Sequence, residues 1–156
     1  MVLGMGATSW AVLGMLLCGS TATVLDLGNM LKLMTDRNPL DFLNYGNWCG
    51  LGGNGYPMDD IDSCCRQHDF CYDKASDSVC LDEKPHVAKY RWKYAAGKLH
   101  CNKGDYGCGL ATCRCDAKFA ACVQVYKASY DPRNKRARQP LLNLLSNVMV
   151  QWNANR

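Results

Sequence analysis

The chain has 156 residues, 11 of them cysteine, and a formal net charge of +4 from 18 basic and 14 acidic side chains. That length suits one domain, and cysteines at this density argue against a reducing cytosolic compartment and for a disulfide-stapled secreted protein. The charge is lopsided: six basic residues and one acid follow from Tyr126 onward, against twelve and thirteen over residues 23–125, so the basic character belongs to the tail and no nucleic-acid partner is expected.

Residues 1–22 carry no charged side chain, and the apolar run Trp10 to Cys18 is followed by Ser20-Thr21-Ala22, a small-x-small cleavage pattern. We therefore expect residues 1–22 to be a signal peptide, the mature chain to begin near Thr23, and the protein to be extracellular. The apolar run is shorter than the roughly 20 residues a membrane span needs. Removing Cys18 with the leader leaves ten cysteines, which can pair completely.

Val24 to Met34 reads as an amphipathic helix, with Val24, Leu27, Leu31 and Met34 at helical spacing, ended by Asn38-Pro39. Trp48 to Gly55 has four glycines in eight positions, so its backbone can turn sharply and present carbonyls to a common point. Calcium takes such oxygen ligands, and Asp69 could close the cage. Met58 to Ala75 is uninterrupted by glycine or proline and reads as a helix, with Asp59 as N-cap and Asp62 completing a carboxylate version of the capping box. In that helix Cys64, His68 and Cys71 share one face, and Cys65, Asp69 and Tyr72 the neighbouring one.

Ser76 to Pro85 is polar and turn-like, a loop pinned by Cys80. Tyr90 to Tyr94 alternates aromatic and basic residues, and with Ala96-Gly97 as a turn and Lys98-Leu99-His100 returning it suggests a small β-hairpin. Gly107 to Lys127 is the second long helix, with Cys108, Cys115 and Cys122 repeating every seven. Cys64 and Cys71 are also seven apart, about two helical turns, so two antiparallel helices could be joined by two rungs, Cys64 to Cys122 and Cys71 to Cys115. Those rungs would bring Asp116 toward the helix that carries His68. In the tail, Arg133-Asn134-Lys135-Arg136 is a basic cluster of the kind processing proteases favour. Residues 139–156 form an amphipathic extension in which Leu141, Leu144, Leu145, Val148 and Trp152 group together, able to lie at a membrane interface or to fold back on the domain.

There is no G-x-S-x-G elbow for a serine nucleophile, and cysteines that can all pair leave no thiol nucleophile. What remains is a histidine beside a cation-binding aspartate, with a second aspartate placed to orient the imidazole. A neutral imidazole can take a proton from water near neutral pH, and a carboxylate behind it stabilises the imidazolium. With calcium polarising a carbonyl, this is a metal-assisted ester hydrolase using water as the nucleophile.

The motif Tyr45-Gly46-x-Trp48-Cys49-Gly50-x-Gly52-Gly53-x-Gly55, then Asp62-x-Cys64-Cys65-x-x-His68-Asp69-x-Cys71-Tyr72, then Cys113-x-Cys115-Asp116, resembles the secreted phospholipase A2 family from about Val24 to Val125. The resemblance implies a mainly α, disulfide-rich fold: an N-terminal helix, a calcium loop, two long antiparallel disulfide-linked helices and a small β-hairpin, with residues 23–138 as the catalytic domain. It implies calcium-dependent hydrolysis of the sn-2 ester of glycerophospholipids at a membrane or micelle surface. His68 would be the base and Asp116 its orienting partner, supported by Tyr72 and Tyr90. Calcium would be held by Asp69 and the main-chain carbonyls of Trp48, Gly50 and Gly52, with the Gly50 amide at the oxyanion. It further implies Cys49–Cys65, Cys80–Cys108 and Cys101–Cys113 pairs.

The chain departs from the common family pattern at Asn47, where cysteine is usual, at Trp48, where tyrosine is usual, and at Leu33 and Tyr94, where pancreatic-type relatives carry a paired cysteine. The competing reading is a non-catalytic secreted binding protein, such as a toxin-like subunit or matrix protein, on the same scaffold.

Overall fold

A computed structural model describes residues 22–50 and 52–136, so nearly all of the expected leader and the whole extension from residue 139 lie outside the described residues. The first helix, α1, spans Ala22–Thr35. Met30, Leu31 and Met34 are buried, but Val24 is 67% exposed. The stripe expected from Val24 is thus displaced toward the C-terminal half of the helix, because only the later turns reach the core. Thr35 Oγ1 donates to the Leu31 carbonyl, Asp36 takes a left-handed φ of 59°, and its N–H returns to the Lys32 carbonyl, which closes the helix. Asn38 then caps a short 3-10 turn over Pro39–Asp41 by accepting from the Leu40 N–H.

Helix α2 spans Asp60–Ser76 with Asp59 as its N-cap, the side chain accepting from the Asp62 N–H at 2.8 Å. The reciprocal half of the expected capping box does not form. The Asp62 carboxylate turns instead to the preceding loop, whose unpaired main-chain donors are the stronger claim on a buried anion. Helix α3 spans Gly107–Tyr126 and is joined to α2 by Cys64–Cys122 and Cys71–Cys115, with Cα separations of 5.8 and 5.7 Å. The other pairs are Cys49–Cys65, Cys80–Cys108 and Cys101–Cys113, so all ten described cysteines are bonded.

The hairpin pairs β1 (Trp92–Ala95) with β2 (Lys98–Cys101), from Trp92 opposite Cys101 to Ala95 opposite Lys98. Ala96 and Gly97 both have positive φ, the requirement of a two-residue turn that matches strand twist. The strand starts two residues later than its alternating pattern suggests. Tyr90 is buried, its hydroxyl bonded to α3, and Arg91 is held by Asp105 through its N–H and its guanidinium.

Met30 and Met34 of α1, Ile61 of α2, Ala120 and Val123 of α3, and Tyr45 of the loop between α1 and α2 form the core. After α3 the chain returns across this loop. Gly46 N–H donates to the Asn134 carbonyl, Arg136 N–H to the Asn44 carbonyl, Tyr45 and Lys135 form an isolated antiparallel bridge, and Tyr130 stacks on Tyr45 at 5.1 Å. The basic cluster Arg133 to Arg136 is therefore part of the folded body and not a free linker. No helix among the described residues is long and apolar enough to cross a membrane.

Candidate active site

His68 sits on α2 midway between the two rungs, which fix α3 alongside. Its Nε2 lies 2.8 Å from Oδ1 of Asp116. Asp116 is 0% exposed and also accepts from the hydroxyls of Tyr72, at 2.6 Å on Oδ1, and Tyr90, at 2.5 Å on Oδ2. Carboxylate oxygens accept, so Nε2 carries the proton in this pair and Nδ1 keeps a free lone pair. Burial, then the negative Asp116, pushes both tyrosines far above the ordinary phenol range, so they stay protonated donors.

The imidazole ring is confined as well as bonded. Tyr72 and Phe119 flank it at centroid distances of 4.3 and 4.7 Å, and its side chain is 11% exposed. It lines a cavity of about 330 Å³ between α2 and α3, together with Gln67, Phe70, Lys118 and Phe119. Trp92 Nε1 donates to Asp26 Oδ1 at 3.0 Å, tying the hairpin to α1.

The glycine-rich loop is fastened to α2 twice. The Cys49–Cys65 disulfide is one tie. Asp62 is the other: fully buried, it accepts from the N–H groups of Asn47 at 2.8 Å, Trp48 at 2.7 Å and Met58 at 2.9 Å. Gly46 has φ 57°, and a Cβ there would stand 2.2 Å from the Asp62 carboxyl carbon, so the loop can approach this carboxylate only because position 46 has no side chain. Beyond the clamp, Gly50 and Gly52 take φ of 124° and 74°. Trp48 Nε1 donates to the Gly55 carbonyl and the Trp48 ring meets Phe70 edge-on at 5.5 Å. Tryptophan thus fits at position 48.

Asp69 is one residue from His68. Burial pushes its carboxyl up to about 6, with Asp73 and Asp62 adding to the shift and His68 opposing it. It has no hydrogen bond or ion pair among the described residues. A partly buried carboxylate without a hydrogen bond or ion pair is a natural partner for a hard cation. No group of three His, Cys, Asp or Glu side chains among the described residues could hold a metal. A cation next to Asp69 would therefore draw its other ligands from main-chain carbonyls, the kind of donor a glycine-rich loop supplies.

The structure joins His68, Asp116, Tyr72 and Tyr90 in one hydrogen-bonded group. It keeps Trp48, Gly50 and Gly52 on the loop stapled to the same helix. Two contributors escaped sequence reasoning. Asp62 was assigned to a cap, since nothing local distinguishes a capping carboxylate from one that reaches fourteen residues back. Phe119 carries no signal in the sequence, because its stacking on His68 depends on the helix-helix register.

The chain is similar to known proteins over most of its described length. The family model described as Phospholipase A2 matches residues 24–135. Group 10 secretory phospholipase A2 of Mus musculus is 39% identical over 100 residues, 64% of each chain, so the alignment spans under two thirds of that relative's length. An acidic phospholipase A2 of Micrurus dumerilii is 38% identical over 122 residues, 75% of this chain and 97% of its own. Group IID secretory phospholipase A2 of Homo sapiens is 37% identical over 116 residues, 74% and 76% of the two chains.

Proposed function

The chain belongs to the secreted phospholipase A2 family, and from that premise we propose that it is an extracellular, calcium-dependent hydrolase of the sn-2 ester of glycerophospholipids, acting at a membrane or micelle surface. The observation that carries this reading is the His68–Asp116 pair, which leaves Nδ1 as the free base of an oriented imidazole.

His68 Nδ1 takes a proton from water as the water oxygen bonds to the sn-2 carbonyl carbon. Asp116 stabilises the resulting imidazolium, and Tyr72 and Tyr90 hold Asp116 in position. The Gly50 N–H donates to the developing oxyanion. The proton on Nδ1 then passes to the departing glycerol oxygen as the C–O bond breaks, giving a fatty acid and a lysophospholipid. Asp69 and the carbonyls of Trp48, Gly50 and Gly52 are the groups that would hold calcium. Bound there, the ion supplies Lewis-acid polarisation of the ester carbonyl. The orphaned Asp69 carboxylate supports this fit.

Residues 1–22 are assigned to a cleaved leader and 139–156 to an interfacial extension. Truncation after Arg138 should weaken partitioning onto anionic vesicles, and unchanged partitioning would refute the interfacial role.

The competing reading, a non-catalytic binding protein on this scaffold, is disfavoured because His68, Asp69 and Asp116 all stand. The test is fatty-acid release from vesicles carrying an sn-2 label. Release should require calcium and fall by about 10²–10⁴-fold in His68→Gln. Release that persists undiminished in chelator or in that variant overturns the mechanism.

A further inference from the structure

A second cleft, of about 560 Å³, lies between β2 and α3 on the hairpin side. Leu99 of β2 with Leu110 and Ala117 of α3 give its lining an apolar part. Lys103, Arg114, Lys118 and the His100 imidazole give it a basic part. Helical spacing on α3 places Arg114 beside Leu110 at i+4 and Ala117 at i+3.

No carboxylate lines the cleft. Asp105, which follows closely on Lys103, is taken up by three hydrogen bonds from Arg91. Lys103, Arg114, Lys118 and His100 make no hydrogen bond or ion pair among the described residues. Arg37, Arg91 and Arg133, by contrast, each face an aspartate. Like charges gathered around one concavity without a counter-ion raise the local potential and favour an anion. The apolar lining residues add a second requirement, since a bare anion would leave them wet whereas an alkyl chain would cover them.

We propose that this cleft binds a single-chain fatty-acid anion, its carboxylate among Lys103, Arg114 and Lys118 and its chain along Leu99, Leu110 and Ala117. The site is separate from the catalytic pair and does not depend on the hydrolytic reading. Lys118 borders both cavities, so activity is a poor readout and binding must be observed at the cleft itself.

The test is a titration of the isotope-labelled protein with sodium decanoate below its micelle concentration, following the methyl resonances of Leu110 and Ala117. Saturable shifts are expected at both, with affinity about tenfold or more lower in Arg114→Glu, the loss of one charge-assisted contact. Unchanged Met30 and Val123 methyl shifts in that variant establish that it is folded. No saturable shift at Ala117 would overturn the proposal. So would equal shifts from neutral decanol, which would leave a merely apolar groove, or equal shifts from inorganic phosphate, which would leave a bare-anion site.

Discussion

Nε2 of His68 and Oδ1 of Asp116 stand 2.8 Å apart across two helices that disulfides hold in register on either side of the pair. If His68 is the base, His68→Gln should lower hydrolysis by about 10²–10⁴-fold, the range a positioned general base supplies. Asp116→Asn should lower kcat and leave the helices joined, but it replaces a three-fold acceptor by a group with one acceptor oxygen, so stability should fall as well. Tyr72→Phe separates the effects: it should cost about 1.5–3 kcal/mol of stability, a hydrogen bond to a charged group, with a smaller loss of kcat. Steady-state rates on vesicles and urea denaturation of the same variants check the two quantities independently.

The clamp made by Asp62 should be as consequential as the His68–Asp116 pair. Asp62→Ala strands three N–H groups, at about 1–3 kcal/mol for each that finds no water. It also frees the loop that carries Trp48 and Gly50. Calcium affinity measured by calorimetry should fall along with the thermal midpoint, whereas a substitution that merely destabilised the fold would leave affinity intact below the unfolding transition.

Much of the fold was legible because its signals are local or periodic. The seven-residue spacing of Cys64 and Cys71, matched by Cys115 and Cys122, already suggests the two rungs. Ala96-Gly97 marks its own turn. Tyr90 illustrates the limit: its strand-like alternation with Trp92 and Tyr94 is overridden by a hydrogen bond to a carboxylate 26 residues away. Asp62 and Phe119 were invisible as site residues for the same reason, their partners being chosen by tertiary register. Val24 shows that periodicity gives the orientation of a helix but not how far along it the core extends.

Asp69 gives a pH prediction. Its folded carboxyl lies near 6, above the value of 3.8 for an unperturbed aspartate, so between those values the folded protein holds the proton more firmly than the unfolded chain. Without calcium, stability should therefore fall as pH rises from about 4 to about 6 and level off above, and the penalty should be absent below pH 4. In chelator, Asp69→Asn should be more stable than the unsubstituted protein at pH 7 by about 1 kcal/mol, a figure held down by the partial exposure of the group. The gap should close at pH 4. If Asp69 holds calcium, saturating calcium should reverse the order at pH 7, because the amide lacks the charge that binds the ion. Paired thermal melts across pH measure both differences, and a gap that does not change with pH would exclude a desolvated carboxylate at this position.

The returning segment after α3 should stabilise the start of α2. Tyr45, 0% exposed, donates from its hydroxyl to Asp59 Oδ2 at 2.5 Å, and Asn134 Nδ2 donates to the same oxygen at 2.8 Å. Burial pushes the Tyr45 phenol up, which keeps it a donor. Asp59 is the N-cap of α2, so two residues distant in sequence hold the side chain that starts the helix bearing His68. Asn134→Ala should cost about 1 kcal/mol and Tyr45→Phe somewhat more, since the latter also removes the acceptor for the Asp131 N–H. Because both act on one oxygen, the double variant should depart from additivity by about 0.5 kcal/mol or more in urea denaturation. Strict additivity would mean that the two contacts act independently and that the segment does not brace the cap.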